Sequence, residues 1–236
     1  MTKYYQIFNF FKNLSSIVIF AICFAFLFQS FLFQPFKIPS SSMEPNLKIG
    51  DYLFVEKFSY NYNINSFSFY INRFRLWNGI IKFNNPKRGD VIVFFSNFLN
   101  NNKYYIKRIV GIPGDKIQFK NGRLIINDKI IYNVVININD DYLLIKEVLK
   151  NNITYNIQIN KQFNPLSIFN TTIIYYIPKH YYFLIGDNRN NSRDSKVLEE
   201  MGYINEKNII GKAKFIFWNS LILNKSDYNK FILKIK

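Results

Sequence analysis

Tyr104-Tyr105-Ile106-Lys107-Arg108-Ile109-Val110 runs without a break into Gly111-Ile112-Pro113-Gly114-Asp115. The first seven residues are aromatic and β-branched around two cations. The next five are turn formers, so the pair reads as a strand and its closing turn. In a strand, side chains alternate between faces. Tyr105, Lys107 and Ile109 then share one face, while Ile106 and Arg108 take the other. The two cations diverge, and Lys107 is left among apolar neighbours. Working outward, Pro86-Lys87-Arg88-Gly89-Asp90 is a second turn that leads into Val91-Ile92-Val93-Phe94-Phe95, a short apolar run of the kind found in buried strands. Gly50-Asp51 opens another strand through Leu53 and Val55. Tyr181–Ile185 is a strand ending at Gly186-Asp187-Asn188-Arg189, and Ala213–Trp218 reads as the last. Short β-rich runs punctuated by Gly, Pro and Asn point to a mainly β, antiparallel domain. Residues 116–177 alternate like strands, are rich in Ile, Asn and Lys, and carry no recognisable chemistry. They read as a β insertion subdomain.

Ahead of this domain, 24 residues between Lys12 and Lys37 carry no charge. Leu14–Phe33 matches the roughly 30 Å hydrocarbon thickness at about 1.5 Å per helical residue, so an N-terminal transmembrane helix is expected. A cleaved signal peptide would have a shorter apolar core and a small-x-small exit. Here the run ends in Phe31-Leu32-Phe33-Gln34-Pro35-Phe36, which favours an uncleaved anchor. Lys3 and Lys12 precede the helix, which places the short N-terminus in the cytosol and the rest outside it. The expected organisation is therefore 1–13 cytosolic, 14–33 transmembrane, 34–115 with 178–236 as the catalytic β core, and 116–177 as the insertion. Phe67, Phe69, Tyr70, Phe74 and Trp77, with Arg73 and Arg75 between them, form an aromatic and basic cluster. It suits either core packing or a surface resting at the lipid interface.

The single cysteine, Cys23, excludes an intramolecular disulfide, and no Cys/His spacing suits zinc. The formal charge of +16 accompanies an abundance of Asn, Ile, Lys, Phe and Tyr, all with A/T-rich codons. Compositional drift explains much of it, with attraction to an anionic bilayer as the other contribution. No RNA-binding signature or zinc-finger spacing supports a nucleic-acid partner.

Pro39-Ser40-Ser41-Ser42-Met43-Glu44-Pro45 sets serines just behind the apolar segment. A Ser-His-Asp triad needs a histidine, and His180 has no acid beside it in sequence. Ser-x-x-Lys chemistry is excluded, because no serine has a lysine three positions on. A Ser–Lys dyad remains, in which a lysine deprotonated by burial removes the hydroxyl proton. Among the lysines, Lys107 has the apolar surroundings, although a strand lysine is ordinarily a solvated edge residue.

Taken together, these blocks resemble the bacterial type I signal (leader) peptidases, membrane-anchored Ser–Lys endopeptidases. Pro35–Leu47 with Gly50-Asp51 is similar to that family's nucleophile box, Lys87–Val91 to a structural turn, Tyr105–Arg108 with Gly111–Asp115 to the base box, and Gly186–Ser195 to a charged loop. The resemblance implies Ser42 as nucleophile and Lys107 as general base. It implies Ser40, with the Ser42 N–H, as the oxyanion hole, and Ser192 as the residue orienting the amine. Phe36, Ile38, Pro39, Met43, Leu47, Leu53, Tyr105 and Ile106 would line shallow pockets that admit only small residues. Arg108, Asp187, Arg189 and Asp194 would support the site. Asn46, Asn190 and Lys196 depart from the family's usual Thr, Asp and Arg.

The expected activity is removal of signal peptides from exported preproteins at small-x-small motifs, with no metal or organic cofactor. The setting would be the extracytoplasmic side of the bacterial inner membrane. The partners would be preprotein signal peptides and the bilayer. The rival readings are a membrane-tethered basic binding protein and an inactive family member.

Overall fold

A computed structural model of the chain describes residues 2–62, 81–96, 103–120, 122–150, 153–162, 173–219 and 233–235. The aromatic cluster at 67–77 lies outside them. Helix α1 covers Thr2–Phe31, and its stretch Lys12–Phe31 is long and apolar enough to cross a membrane. It ends two residues before Phe33. The Leu32 N–H still bonds back to the Phe28 carbonyl, and Phe33 then opens a strand across from Glu56. Pro35, which no helix interior tolerates, follows at once.

The strands are β1 (Phe33–Lys37), β2 (Asp51–Glu56), β3 (Asn61–Tyr62), β4 (Ile81–Lys82), β5 (Val91–Ser96), β6 (Lys103–Gly111), β7 (Lys116–Lys120), β8 (Arg123–Ile126), β9 (Lys129–Ile130), β10 (Tyr132–Ile138), β11 (Tyr142–Val148), β12 (Thr154–Asn160), β13 (Ile174–Tyr176), β14 (Tyr181–Ile185), β15 (Ile204–Asn205), β16 (Ile209–Asn219) and β17 (Leu233–Lys234). The main sheet runs β1-β2-β16-β5-β6-β14-β15, with β17 also on β16, and every pairing within it is antiparallel. Proline-bearing β1 sits at its edge, where a missing N–H breaks no ladder. The mainly β architecture behind an apolar helix is thus the one expected. β16 begins four residues before Ala213, because Ile209 and Gly211 already pair with β5.

Cluster membership follows the alternation on β6. Ile106 packs with Val91, Val93, Leu53 and Ala213, and with Ile38, Met43 and Leu47 from the segment ahead of β2. Ile109 and Tyr105 pack instead with Ile92, Phe94 and Leu184. The insertion folds as two small sheets, β10-β11-β12 and β13-β7-β8-β9. Its core is continuous with the body, since Val110, Phe183 and Ile185 of the main sheet pack among Ile117, Phe119, Leu124 and Ile157.

Candidate active site

Ser42 sits in a single helical turn, Ser41–Met43, between two prolines. Pro39 and Pro45 restrict the chain on either side, so the segment cannot extend into a longer helix. Met43 and Leu47 are wholly buried, each contributing about 2 kcal/mol of apolar burial, and they pin the turn to the core. The Asn46 and Leu47 N–H groups both donate to the Met43 carbonyl. From across the site, the Asn188 N–H donates to the Ser42 carbonyl at 3.1 Å, and the Asn188 side chain donates to the Ser41 carbonyl at 3.2 Å. Asn191 donates to the Ser41 hydroxyl. Ser42 keeps 8% of its surface exposed, enough for contact with an incoming group.

Lys107 lies on β6, between β5 and β14, and is 3% exposed. Its amine is 2.6 Å from Ser42 Oγ and donates to the Ile106 carbonyl at 3.0 Å. Ser40 Oγ is 3.4 Å from Ser42 Oγ. Burial lowers the Lys107 pKa to about 8. Asp194 and Asp187 pull it up, and Lys196 pushes it further down. A low-dielectric surrounding penalises the ammonium form, so a large share of the amine is neutral near pH 8 and can take a proton. A hydroxyl in hydrogen-bond reach of a neutral amine is an activated nucleophile.

The loop after β14 supports this pair. A Cβ on Gly186 would run into the Ser42 carbonyl oxygen and the Ser192 side chain, so only glycine allows so close an approach. The Gly186 N–H donates to Asp194. Asp194 also pairs with Lys196 at 3.5 Å, and the Lys196 amine reaches the Arg189 carbonyl at 2.6 Å. Arg108 is fully buried and grips Asp187 through two hydrogen bonds of 2.8 and 2.7 Å. It donates a third to the Gly89 carbonyl and lies 4.1 Å over the Tyr155 ring. Asn46 donates to both Asp187 and the Asn156 carbonyl, and so ties the nucleophile segment to β12. Arg189 forks onto Glu147, which also accepts from the Tyr155 hydroxyl.

Ser42, Lys107 and Ser40 therefore converge, and Arg108, Asp187, Arg189 and Asp194 form the layer behind them. Other expected residues lie differently. Ser192 Oγ is buried with no hydrogen-bond partner. It lies over Gly186, and no hydrogen bond joins it to the Lys107 amine, which bonds to Ser42 and Ile106. Tyr105 stacks on Phe94 and packs against the cluster that holds Ile109 and Leu184. Met43, Leu47 and Leu53 present no surface and lie beneath the site as packing. Partly exposed Phe36 and exposed Pro39 are the members a bound chain can touch most directly. His180 occupies a positive-φ turn at the far end of β14, about 20 Å along the strand from Gly186, and pairs with Glu206. Among the described residues, no group of three or more His, Cys, Asp or Glu is placed to hold a metal ion.

Sequence reading missed Glu147, Tyr155 and Asn188. The first two lie in the insertion, far along the chain from any motif. The only visible hint was one acid and one aromatic on alternating strands. Asn188 stands inside the charged loop, but half of its role comes from a backbone N–H that any residue but proline possesses, and the other half from a side-chain amide that no motif marks.

Residues 11–218 match the family model described as signal peptidase, peptidase S26. The chain is 36% identical over 229 residues to the signal peptidase I of Rickettsia typhi, covering 92% of this chain and 85% of that one. The signal peptidase I of Rickettsia prowazekii gives the same identity and coverage, and that of Rickettsia akari is 37% identical over 212 residues, 86% of this chain and 78% of that one. A solved signal peptidase I from Enterococcus faecalis overlaps 55% of this chain and 97% of its own at 23% identity, with a TM-score of 0.34. So loose an overlap adds nothing to the sequence relationships.

Proposed function

The chain belongs to the signal peptidase family, peptidase S26, and from that premise we propose that it cleaves signal peptides from exported preproteins through a Ser42–Lys107 dyad while anchored by α1. The observation that carries the reading is the 2.6 Å contact between the Lys107 amine and Ser42 Oγ inside an apolar strand environment. Neutral Lys107 takes the proton of Ser42 as Oγ attacks the scissile carbonyl. The tetrahedral oxygen takes up negative charge, and the Ser42 N–H and Ser40 Oγ are the donors nearest to stabilise it. The ammonium of Lys107 then protonates the departing amine, leaving an acyl-enzyme on Ser42. A water molecule, deprotonated by Lys107, releases the acyl group and restores the dyad. A lysine serves both halves because burial lowers its pKa to about 8, so near neutral pH it both takes up and returns a proton.

Small-x-small selection rests on Phe36, Pro39, Ile38 and Ile106 above a filled core, which leaves no depth for a long side chain. The apolar stretch Lys12–Phe31 supplies the anchor, with the β domain on the extracytoplasmic side.

The test is incubation of detergent-solubilised protein with a preprotein bearing Ala at −1 and −3. Cleavage at that site by the wild type, and its loss in both Ser42→Ala and Lys107→Ala, is the expected result. Retained cleavage in either variant rejects the dyad.

A further inference from the structure

The six buried charges behind the dyad pair off one to one: Arg108 with Asp187, Lys196 with Asp194, and Arg189 with Glu147. Five of them come from β6 or the loop after β14. The sixth, Glu147, comes from β11 of the insertion and is fully buried. The insertion is stitched to the site elsewhere too. The Gln158 N–H donates to the Asp187 carbonyl, and the Arg189 N–H donates to the Gln158 carbonyl, both at 2.9 Å. Asn190 donates to the Asn160 carbonyl. The Tyr155 ring carries the Arg108 guanidinium, while its hydroxyl donates to Glu147.

We propose that Glu147 is a positioning residue for the Ser42–Lys107 pair: by holding Arg189 it fixes the loop that clamps Ser42 and keeps the buried charges around Lys107 at a net of zero. This rests on the proteolytic reading above only for its activity readout. The charges acting on Lys107 are Asp194, Asp187 and Lys196 of the loop, and its amine bonds to Ser42 and the Ile106 carbonyl; Arg108, Arg189, Glu147 and Tyr155 stand behind these through their pairing with the same acids and with one another. With the six charges balanced, no carboxylate is left in excess to retain the lysine's proton. Neutralising Glu147 leaves Arg189 as an unpaired buried cation. That cation competes with Arg108 for Asp187, one of the two acids that pull the lysine's pKa up. With Asp187 drawn toward Arg189, the titration of Lys107 moves downward.

The experiment follows the Cε resonance of Lys107 by NMR, in full-length detergent-solubilised protein grown on 13C-labelled lysine. The resonance is assigned by its absence in Lys107→Arg. Glu147→Gln is expected to titrate at least about 0.5 pH unit below wild type, and the double variant Glu147→Gln/Arg189→Met, which removes both charges, to return to the wild-type midpoint. An unmoved midpoint in a folded Glu147→Gln overturns the inference, as does a double variant that stays shifted with the single one. If Glu147→Gln does not fold, Glu147→Asp keeps the charge but shortens the reach. It is then expected to leave the midpoint in place and to lower kcat on the preprotein about 10-fold with KM within 2-fold, and an unchanged kcat overturns positioning. The NMR midpoint needs no turnover, so a wild type that fails to cleave would count against the proteolytic reading and leave this inference to be judged by titration.

Discussion

Lys107 and Arg108 are neighbours on one strand, both buried, and of the two only Arg108 pairs with a carboxylate among the described residues. One step of strand alternation separates them, and that step decides their chemistry. Arg108 meets the Asp187 fork and stays charged. Lys107 meets a serine hydroxyl and a carbonyl, so desolvation acts on it with only distant opposition.

The first consequence is kinetic. With the Lys107 pKa lowered to about 8, the proposed base is protonated and idle below that pH. Cleavage measured as kcat/KM should rise about tenfold per pH unit up to roughly pH 8 and level off above it. A profile that stays flat between pH 6 and 10 would remove lysine as the base.

The second concerns stability. In the unfolded chain this lysine titrates at its ordinary value of 10.5, and in the fold at about 8. Between those values the unfolded state holds a proton the folded state has shed, so stability rises with pH across that window. Below pH 8 both states are protonated, and the fold carries the full cost of a buried ammonium, about 3 kcal/mol. Lys107→Met should therefore be inactive yet more stable at pH 7, by about 1–3 kcal/mol in urea unfolding. The gain should shrink toward zero by about pH 10.5.

Arg108→Lys keeps the charge and loses the fork. A lysine cannot hold both Asp187 oxygens and the Gly89 carbonyl at once, and the Tyr155 ring loses a planar group stacked on it. A loss of about 2–4 kcal/mol is expected, read as a lowered denaturant midpoint. A change under 0.5 kcal/mol would show the paired geometry to be dispensable.

Gly186→Ala tests close approach at the nucleophile. Its methyl group would push on the Ser42 carbonyl and on Ser192, and misplacement by about 1 Å costs on the order of 100-fold in rate. The expected outcome is at least that loss in kcat with most of the protein still folded by circular dichroism. Ser192→Gly in the same chain should restore only part of it, because the Ser42 backbone remains in the way.

Much of this arrangement was legible in the chain. Strands at 91–95, 104–110 and 181–185 could be read because short β-branched runs between Gly- and Pro-rich turns have few other solutions. The facing of Ile106 away from Ile109 followed from period two. The 116–177 segment was legible as β structure but not as a supplier of Glu147, because a buried ion pair between residues 42 positions apart leaves no local pattern. The pocket residues were misjudged for a related reason. Apolar side chains that floor a site and those that line it look alike in sequence, and only packing put Met43, Leu47 and Leu53 beneath the surface. The resemblance puts Ser192 at the amine, and its hydroxyl, packed over Gly186, makes no hydrogen bond.

A single residue, Leu32, separates α1 from β1, and the first turn past β2 closes on that junction: the Lys57 N–H donates to the Leu32 carbonyl, while the Lys57 amine donates to that of Ser30. The β domain therefore hangs on no slack leash. With α1 embedded in lipid, the hydroxyl of residue 42 would ride at one altitude above the bilayer, like a blade bolted to a post. Any chain to be severed would have to raise its cleavage point to that altitude, so the length of its own greasy segment would act as a ruler in choosing where the cut falls.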